Sequence, residues 1–251
     1  MNTFNDIEEQ ILFITNQFSG HVSVDIESDS ELSIEVNTKK MMRSASLIKL
    51  PIAAYIDSVI SENSALLDEE IFISNDNMVG GAGVIRFLSP KCWKISDLLF
   101  LMIEQSDNTA TNCLLNYFGL SNIQKWISDN YSGISLNRKM MQYNGVKDNF
   151  TNVADILGIL KQFKSRSTPV NSIVMRAMRH QVNRSKLVAV IQPHIETYNK
   201  SGENEGVEND AAIFVQKDKW VIVVVQTEYY EQSESIKLIR TIGNEVSKYF
   251  L

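Results

Sequence analysis

Two residues in the run MRSASLIKLPIAAY have the types and the spacing needed to attack a carbonyl carbon. Ser46 and Lys49 stand three positions apart among apolar neighbours. Side chains at i and i+3 share one face of a helix, so we expect the Lys49 amine to lie about 2.6–3.2 Å from the Ser46 hydroxyl. A lysine can remove the serine proton once burial or a nearby cation lowers its pKa. The alternative is that Ser46 caps the helix and Lys49 extends into water.

A second polar group is the triplet Ser106-Asp107-Asn108, which lies between the apolar runs LLFLMIEQ and TATNCLLNYF. This context predicts a junction between two helices inside the fold. There the Ser106 hydroxyl and the Asn108 amide can relay a proton and orient a substrate carbonyl, or they can simply cap a helix. The same triplet recurs at 128–130, where the following Tyr-Ser-Gly composition predicts a solvated loop.

The third group, Lys200-Ser201-Gly202, ends a predicted strand. Gly202 lets a substrate backbone approach the strand closely, while Lys200 and Ser201 offer a cation and a hydroxyl to a carboxylate. Taken alone, this triplet is also an ordinary exit from a strand into a turn.

Three glutamates follow this triplet closely, at Glu203, Glu205 and Glu208. They predict an acidic rim on the side of the site where a substrate side chain would lie. Such a rim favours cationic or amine-bearing substrates over anionic ones. The alternative is a solvated acidic turn.

Hydrophobic periodicity indicates the elements that must position these groups. Helical spacing of apolar residues predicts a helix over 3–17, and strict alternation predicts a strand hairpin over 21–37. The pattern is helical from Ser46 to about Phe163. Strand-like composition returns over 188–202, 211–216 and 220–227, and the chain closes on a helix with its apolar face at Ile236, Ile239, Ile242, Val246 and Tyr249.

Strands at both ends of the chain, with helices between them, predict one antiparallel sheet assembled from the two ends. We therefore expect residues 1–251 to form a single unit with two lobes. Residues 1–45 together with 165–251 would form the sheet lobe, and residues 46–164 the helical lobe.

Composition limits the classes of function. The chain has 251 residues, of which 44% are hydrophobic and 22% charged, as in a globular protein with a sizeable core. A formal charge of -6 and the lack of Lys/Arg runs argue against nucleic acid and membrane surfaces as partners. The N-terminus lacks the pattern of a secretion signal, which predicts a cytoplasmic protein, or a secreted one if a leader was trimmed. Cys92 and Cys113 are expected to be free thiols.

Scattered histidines predict no metal site, and we expect no cofactor and a small-molecule or peptide substrate. The oligomeric state is not readable from the sequence.

Ser-x-x-Lys, Ser-Asp-Asn and Lys-Ser-Gly, in that order, resemble the motif set of class A β-lactamases and penicillin-binding proteins, whose third motif is Lys-Thr-Gly. The resemblance covers most of the chain. The separation of Ser46 from Ser106 and the segment GGAGVIRFL are similar to the class A branch. The resemblance implies an α+β fold with a five-stranded antiparallel sheet flanked by helices, an all-helical lobe beside it, and an active site in the cleft between them.

The resemblance also implies a role for each motif residue. Ser46 would be the acylated nucleophile, Lys49 its proton acceptor and Ser106 a proton shuttle. The backbone N–H groups of Ser46 and Glu203 would form the oxyanion hole. Substrate binding would fall to Asn108 for an amide, to Lys200 and Ser201 for a carboxylate, and to the strand at Gly202 and Glu203.

The sequence departs from class A β-lactamases at the glutamate that activates water for hydrolysis of the acyl-enzyme. Met140 stands near that position, and no glutamate lies between Gln105 and Gln192. The nearest carboxylates are Asp148 and Asp155, of which Asp155 is expected to begin a helix. The sequence thus predicts a serine hydrolase or acyltransferase that hydrolyses β-lactams weakly.

Two alternative functions remain open at this point. One is a working β-lactamase with an unconventional deacylation base, and the other is a non-enzymatic penicillin-binding or sensor module. Glutaminases also use Ser-x-x-Lys, but they do not predict the Lys-Ser-Gly strand.

Overall fold

The computed structural model describes residues 3–61, 63–89, 91–143, 145 and 147–251. Its helices are α1 (Thr3–Asn16), α2 (Lys49–Ile60), α3 (Ile95–Glu104), α4 (Asn108–Phe118), α5 (Leu120–Asn130), α6 (Val153–Ser165), α7 (Pro169–Arg179) and α8 (Gln232–Ser247). Its strands are β1 (His21–Ser28), β2 (Ser33–Val36), β3 (Met42–Arg43), β4 (Glu70–Phe72), β5 (Cys92–Lys94), β6 (Phe150–Thr151), β7 (Glu196–Asn204), β8 (Val207–Gln216) and β9 (Lys219–Glu228).

Both ends of the chain contribute to one antiparallel sheet of five strands, in the order β2-β1-β9-β8-β7. The long-range pairing joins β1 to β9, with Asp25 opposite Val224. Outside this sheet, the described residues form two short strand pairs, β3 with β6 and β4 with β5. The predicted sheet, built from the two ends of the chain, is therefore confirmed.

The central strand β9 is buried on both faces, as its continuous apolar run predicts. Val221, Val223 and Val225 pack into the core that the sheet forms with α1 and α8. Ile222 and Val224, at the alternate positions, pack into the larger core that α2, α3, α4, α6 and α7 share. The sheet thus separates two hydrophobic cores, and the second core continues beneath the residues of the predicted site.

Three predicted elements differ from the structure. The stretch 46–163, predicted as helical, also contains the short strands β4, β5 and β6. The strand predicted over 188–202 begins only at Glu196, because Pro193 has no N–H for a strand ladder and Ile195 N–H closes a turn on the Gln192 carbonyl. The loop predicted at 128–130 is instead the exposed last turn of α5, where the Ser128 hydroxyl donates to the Lys125 carbonyl one turn earlier.

The structure also bears on the cysteines, on membrane-spanning helices and on the predicted lobes. Cys92 and Cys113 are free thiols, as predicted. None of the described helices is long and apolar enough to cross a membrane. The division into lobes stays a prediction, and α7 contacts both α3 and β7.

Two helical glycines provide a test of the packing behind the sheet. A Cβ at Gly243 of α8 would lie 2.0 Å from the Leu187 carbonyl oxygen, whereas a Cβ at Gly158 of α6 would meet no atom within 4 Å. We expect Gly243→Ala to lower the free energy of unfolding by about 1–3 kcal/mol, because backbone must move. Gly158→Ala is expected to raise it by about 0.5–1 kcal/mol. Urea denaturation measures both, and equal effects would contradict the packing described.

Candidate active site

Ser46 and Lys49 lie where the chain enters α2. Ser46 is in a single 3₁₀ turn, Ala45–Ile48, and α2 begins at Lys49. The Lys49 Nζ lies 3.1 Å from the Ser46 Oγ, which confirms the predicted distance. Lys49 is 0% exposed, so the alternative of a lysine extending into water is wrong.

The Lys49 amine is held by the Ser106-Asp107-Asn108 junction. Its Nζ donates to the Ser106 carbonyl at 2.6 Å and to the Asn108 Oδ1 at 2.9 Å, and it lies 3.1 Å from the Ser106 Oγ. Burial lowers the pKa of Lys49 well below its ordinary value, and the charge of Lys200 lowers it further, against the opposing effect of Asp107. The neutral, proton-accepting form of this amine is therefore more accessible than that of an ordinary lysine.

Ser106 lies between α3 and α4, as the sequence predicts, in an unusual backbone conformation. Its φ of 54° is in the left-handed region, which is strained for a serine. The next residue, Asp107, caps α4 by accepting the Ala110 N–H and also accepts the N–H groups of Val84 and Ile85. These bonds hold the junction in the conformation that turns the Ser106 carbonyl and hydroxyl toward Lys49.

A second buried lysine reaches the same hydroxyl from the sheet. Lys200 on β7 is 0% exposed, and its Nζ lies 3.0 Å from the Ser106 Oγ and 2.6 Å from the Ser201 carbonyl. Burial lowers the pKa of Lys200 to about 7, a shift that Lys186 increases and that Asp210 and Glu203 oppose. The Ser106 hydroxyl thus lies between two amines with lowered pKa values, an arrangement able to move a proton.

Gly202 brings β7 against the turn that carries Ser46. A Cβ at Gly202 would lie 3.0 Å from both the Ser44 carbonyl oxygen and the Ser46 nitrogen, so a side chain there would push the strand away. The oxyanion hole formed by the Ser46 and Glu203 N–H groups stays a prediction. A cavity of about 340 Å³ opens beside this contact. Its lining includes Ser46, Ser106, Asn108, Met140, Ser201 and Glu203.

The loop that closes the other side of the cavity presents Met140 instead of a carboxylate. Asn112 fixes the Met140 backbone, accepting its N–H at 2.8 Å and donating to its carbonyl at 3.1 Å. Asp148 lines the cavity, but its Oδ1 is 2.6 Å from the Arg138 Nη2. Asp155 lies in the first turn of α6, as predicted, and accepts the Gly133 N–H. Both aspartates therefore already have partners.

Sequence reasoning missed one buried ion pair beneath β7 and misplaced one of its members. Lys186 and Glu208 are each 1% exposed, with 2.5 Å between Nζ and Oε2. The prediction that Glu208 belongs to an acidic rim is wrong, since its carboxylate points inward. The sequence did contain a signal for such a pair, since Glu208, Asn209 and Asp210 are three consecutive polar residues near the start of β8. Consecutive strand residues point to opposite faces, so polar residues in a strand buried on both faces need polar partners on both sides.

A model described as "Beta-lactamase enzyme family" matches residues 6–250. A β-lactamase from Proteus vulgaris is 27% identical over 119 residues, an alignment that covers 47% of this chain and 44% of that protein. The chain thus matches less than half the length of that relative.

Two solved structures have the same fold over almost their whole length. A β-lactamase from Sphaerobacter thermophilus superposes with a TM-score of 0.86 at 20% identity, covering 98% of this chain and 97% of the other. A mutant of PBP-A, described as an acyl-enzyme complex with penicillin G, superposes with a TM-score of 0.87 at 21% identity, covering 98% and 96%. The predicted α+β fold is confirmed.

The lowered pKa of Lys200 predicts a pH-dependent contribution to stability. The unfolded chain holds this proton up to its usual pKa near 10.4, whereas the folded chain loses it near 7, so the unfolded state binds more protons between these values. The contribution of Lys200 to the free energy of unfolding should therefore rise with pH in that window. We expect the free energy of unfolding of wild type minus that of Lys200→Met to become more positive from about pH 7 to about pH 10, by at most ~1.4 kcal/mol per pH unit.

Urea denaturation at several pH values measures this difference. Lys125→Met removes a solvent-exposed ammonium on α5 and controls for the substitution itself. A value of wild type minus Lys200→Met that stays constant or becomes more negative as pH rises would contradict the assignment.

Proposed function

Because the chain belongs to the beta-lactamase enzyme family, we propose that it is a serine hydrolase or acyltransferase that cleaves an amide, ester or lactam through an acyl-enzyme on Ser46. The observation that carries the proposal is the buried Lys49 amine, 3.1 Å from the Ser46 hydroxyl. Side chains in this arrangement form the nucleophile and base of an acyl-transfer site.

In the proposed acylation, neutral Lys49 accepts the proton of Ser46 while the Ser46 Oγ bonds to the carbonyl carbon. The N–H groups of Ser46 and Glu203 stabilise the negative charge that develops on the carbonyl oxygen. The bond to the leaving group then breaks as a proton passes from Lys49 through the Ser106 hydroxyl to the departing atom. The 3.1 Å separation of the Lys49 Nζ and the Ser106 Oγ supports this proton path.

The proposed substrate contacts come from the groups that remain free to bind. The Asn108 Oδ1 accepts from Lys49 and its Nδ2 donates one proton to the Gly80 carbonyl, which leaves the second amide proton for a substrate carbonyl. Lys200 and Ser201 are proposed to bind a carboxylate. The substrate is a small molecule or peptide, in keeping with the size of the cavity.

Deacylation is proposed to be slow for β-lactams. Met140 cannot activate water, and the Asp148 carboxylate is paired with Arg138. A positioned general base contributes ~10²–10⁴ in rate, so its absence should leave an opened lactam on Ser46 for longer than in an efficient β-lactamase. The PBP-A structure described as an acyl-enzyme with penicillin G makes that lactam a suitable probe.

Acylation is tested with penicillin by intact-protein mass spectrometry. We expect wild type to gain the mass of one penicillin in a burst followed by slow turnover. Ser46→Ala should gain none, and Lys49→Ala should acylate ~10²–10⁴ times more slowly, because the base is lost. Ser128→Ala, in the exposed copy of the triplet, is the matched control and should behave as wild type.

The outcomes separate the candidate functions. An adduct that persists in Ser46→Ala would overturn the assignment of the nucleophile. Rapid steady-state hydrolysis without an adduct would favour a β-lactamase with another base. Stoichiometric acylation with no turnover of lactams or simple esters would favour the non-enzymatic module.

A glutamate at position 140 should restore deacylation. Met140 lines the cavity near the position where the resemblance places the water-activating glutamate, so Met140→Glu is expected to raise the deacylation rate of the penicillin adduct by up to ~10²–10⁴. Met141→Glu places the same charge one residue away and is expected to have little effect. Decay of the preformed adduct by mass measures both variants, and equal decay rates would contradict the role given to position 140.

A further inference from the structure

We propose that Glu203 selects substrates that carry an ammonium or guanidinium group within reach of β7. The inference rests on the proposed acyl-enzyme function and names its substrate class. It starts from the position of Glu203, which directly follows Lys200-Ser201-Gly202 and lines the cavity together with Ser201. The Glu203 side chain is 62% exposed, so its carboxylate is accessible to an incoming substrate.

The Glu203 carboxylate is held in place from one side. Its Oε2 accepts a hydrogen bond of 3.0 Å from the Asn183 Nδ2. Asn183 is itself fixed, since its N–H donates to the Gln181 Oε1 and its carbonyl accepts from the Asn199 Nδ2. A carboxylate that is already oriented loses less side-chain entropy when it binds a cation.

The Oε1 of Glu203 has no hydrogen-bond partner among the described residues. The nearest cation is Lys186, whose Nζ lies 3.9 Å from the Oε2. That ammonium already donates to the Glu208 carboxylate and to the carbonyls of Gly202 and Asn209, which accounts for its three protons. Glu203 therefore retains an acceptor and a negative charge for a ligand.

Two other charged side chains line the described part of the cavity, Arg138 and Asp148. Arg138 and Asp148 form an ion pair of 2.6 Å. Lys200 is not among the lining residues, because it is fully buried and donates to the Ser106 hydroxyl and the Ser201 carbonyl. A cation on the substrate would thus meet a net attraction at Glu203.

The cavity that Glu203 lines also has exposed apolar side chains. Val182, Tyr143 and Met141 line the same cavity and are 57%, 54% and 40% exposed. Exposed apolar groups around one cavity indicate a ligand surface. The substrate class is therefore an ester or amide with an apolar body and one cationic group.

Selectivity is measured with three esters that differ only at one end, which carries an ammonium, a methyl or a carboxylate group. For wild type we expect kcat/KM to be about 5–10-fold higher for the ammonium ester than for the methyl ester, and lowest for the carboxylate ester, as one partly exposed ion pair allows. The preference should shrink at high salt. In Glu203→Gln the ratio of kcat/KM for the ammonium ester to kcat/KM for the methyl ester, both measured on that variant, should fall to about one.

Glu205→Gln is the matched control, because Glu205 is exposed two residues farther along and is not among the cavity-lining residues. Its ratio should equal that of wild type. If Glu203→Gln does not fold, Asn183→Ala removes the bond that orients the carboxylate, and its ratio should fall about two- to fivefold.

The results distinguish this inference from the proposed function. Acylation of the methyl ester with no preference for the ammonium ester would overturn the role of Glu203 and leave the acyl-enzyme proposal standing. An unchanged ratio in the Glu203 or Asn183 variant would do the same. Failure of every ester and of penicillin to acylate wild type would overturn the proposed function itself.

Discussion

The burial of the Lys49 amine is the constraint on which the rest of the site depends. An ammonium taken out of water is costly, so the fold must either neutralise it or surround it with acceptors. Here burial lowers the pKa of the amine, and the Ser106 carbonyl and the Asn108 amide oxygen accept its hydrogen bonds. The left-handed Ser106 and the capping role of Asp107 serve to hold these acceptors in place. The position of the Lys49 amine beside Ser46 therefore depends on the junction between α3 and α4.

A second buried lysine connects the sheet to the same junction. Lys200 reaches the same Ser106 hydroxyl from β7, so the two halves of the site are joined through one oxygen atom. Gly202 keeps the strand against the Ser46 turn, and the Lys186–Glu208 pair supports the strand from below through the Gly202 carbonyl. The geometry of the nucleophile and the position of the sheet edge are thus coupled.

Sequence patterns predicted the features that depend on local spacing. The i,i+3 relation of Ser46 and Lys49, the helix junction at Ser106, the central strand β9 and the helix start at Asp155 all follow from periodicity or caps. Features that depend on partners distant in sequence were not predictable. Lys186 and Glu208 become a buried pair only through the fold, Pro193 delays the strand that composition suggested, and Asp148 is engaged by Arg138. Each of these needed a contact that no local pattern encodes.

The antiparallel sheet has a consequence for how the protein is made. During synthesis β1 leaves the ribosome early, yet its partner β9 begins only at Lys219. Such long-range pairing is associated with slow folding, since a long loop must close first. A nascent chain that already contains Ser46 and Lys49 still lacks the strand that covers them and the second amine. The surroundings of Ser46 and Lys49 are therefore complete only when nearly the whole chain has been translated.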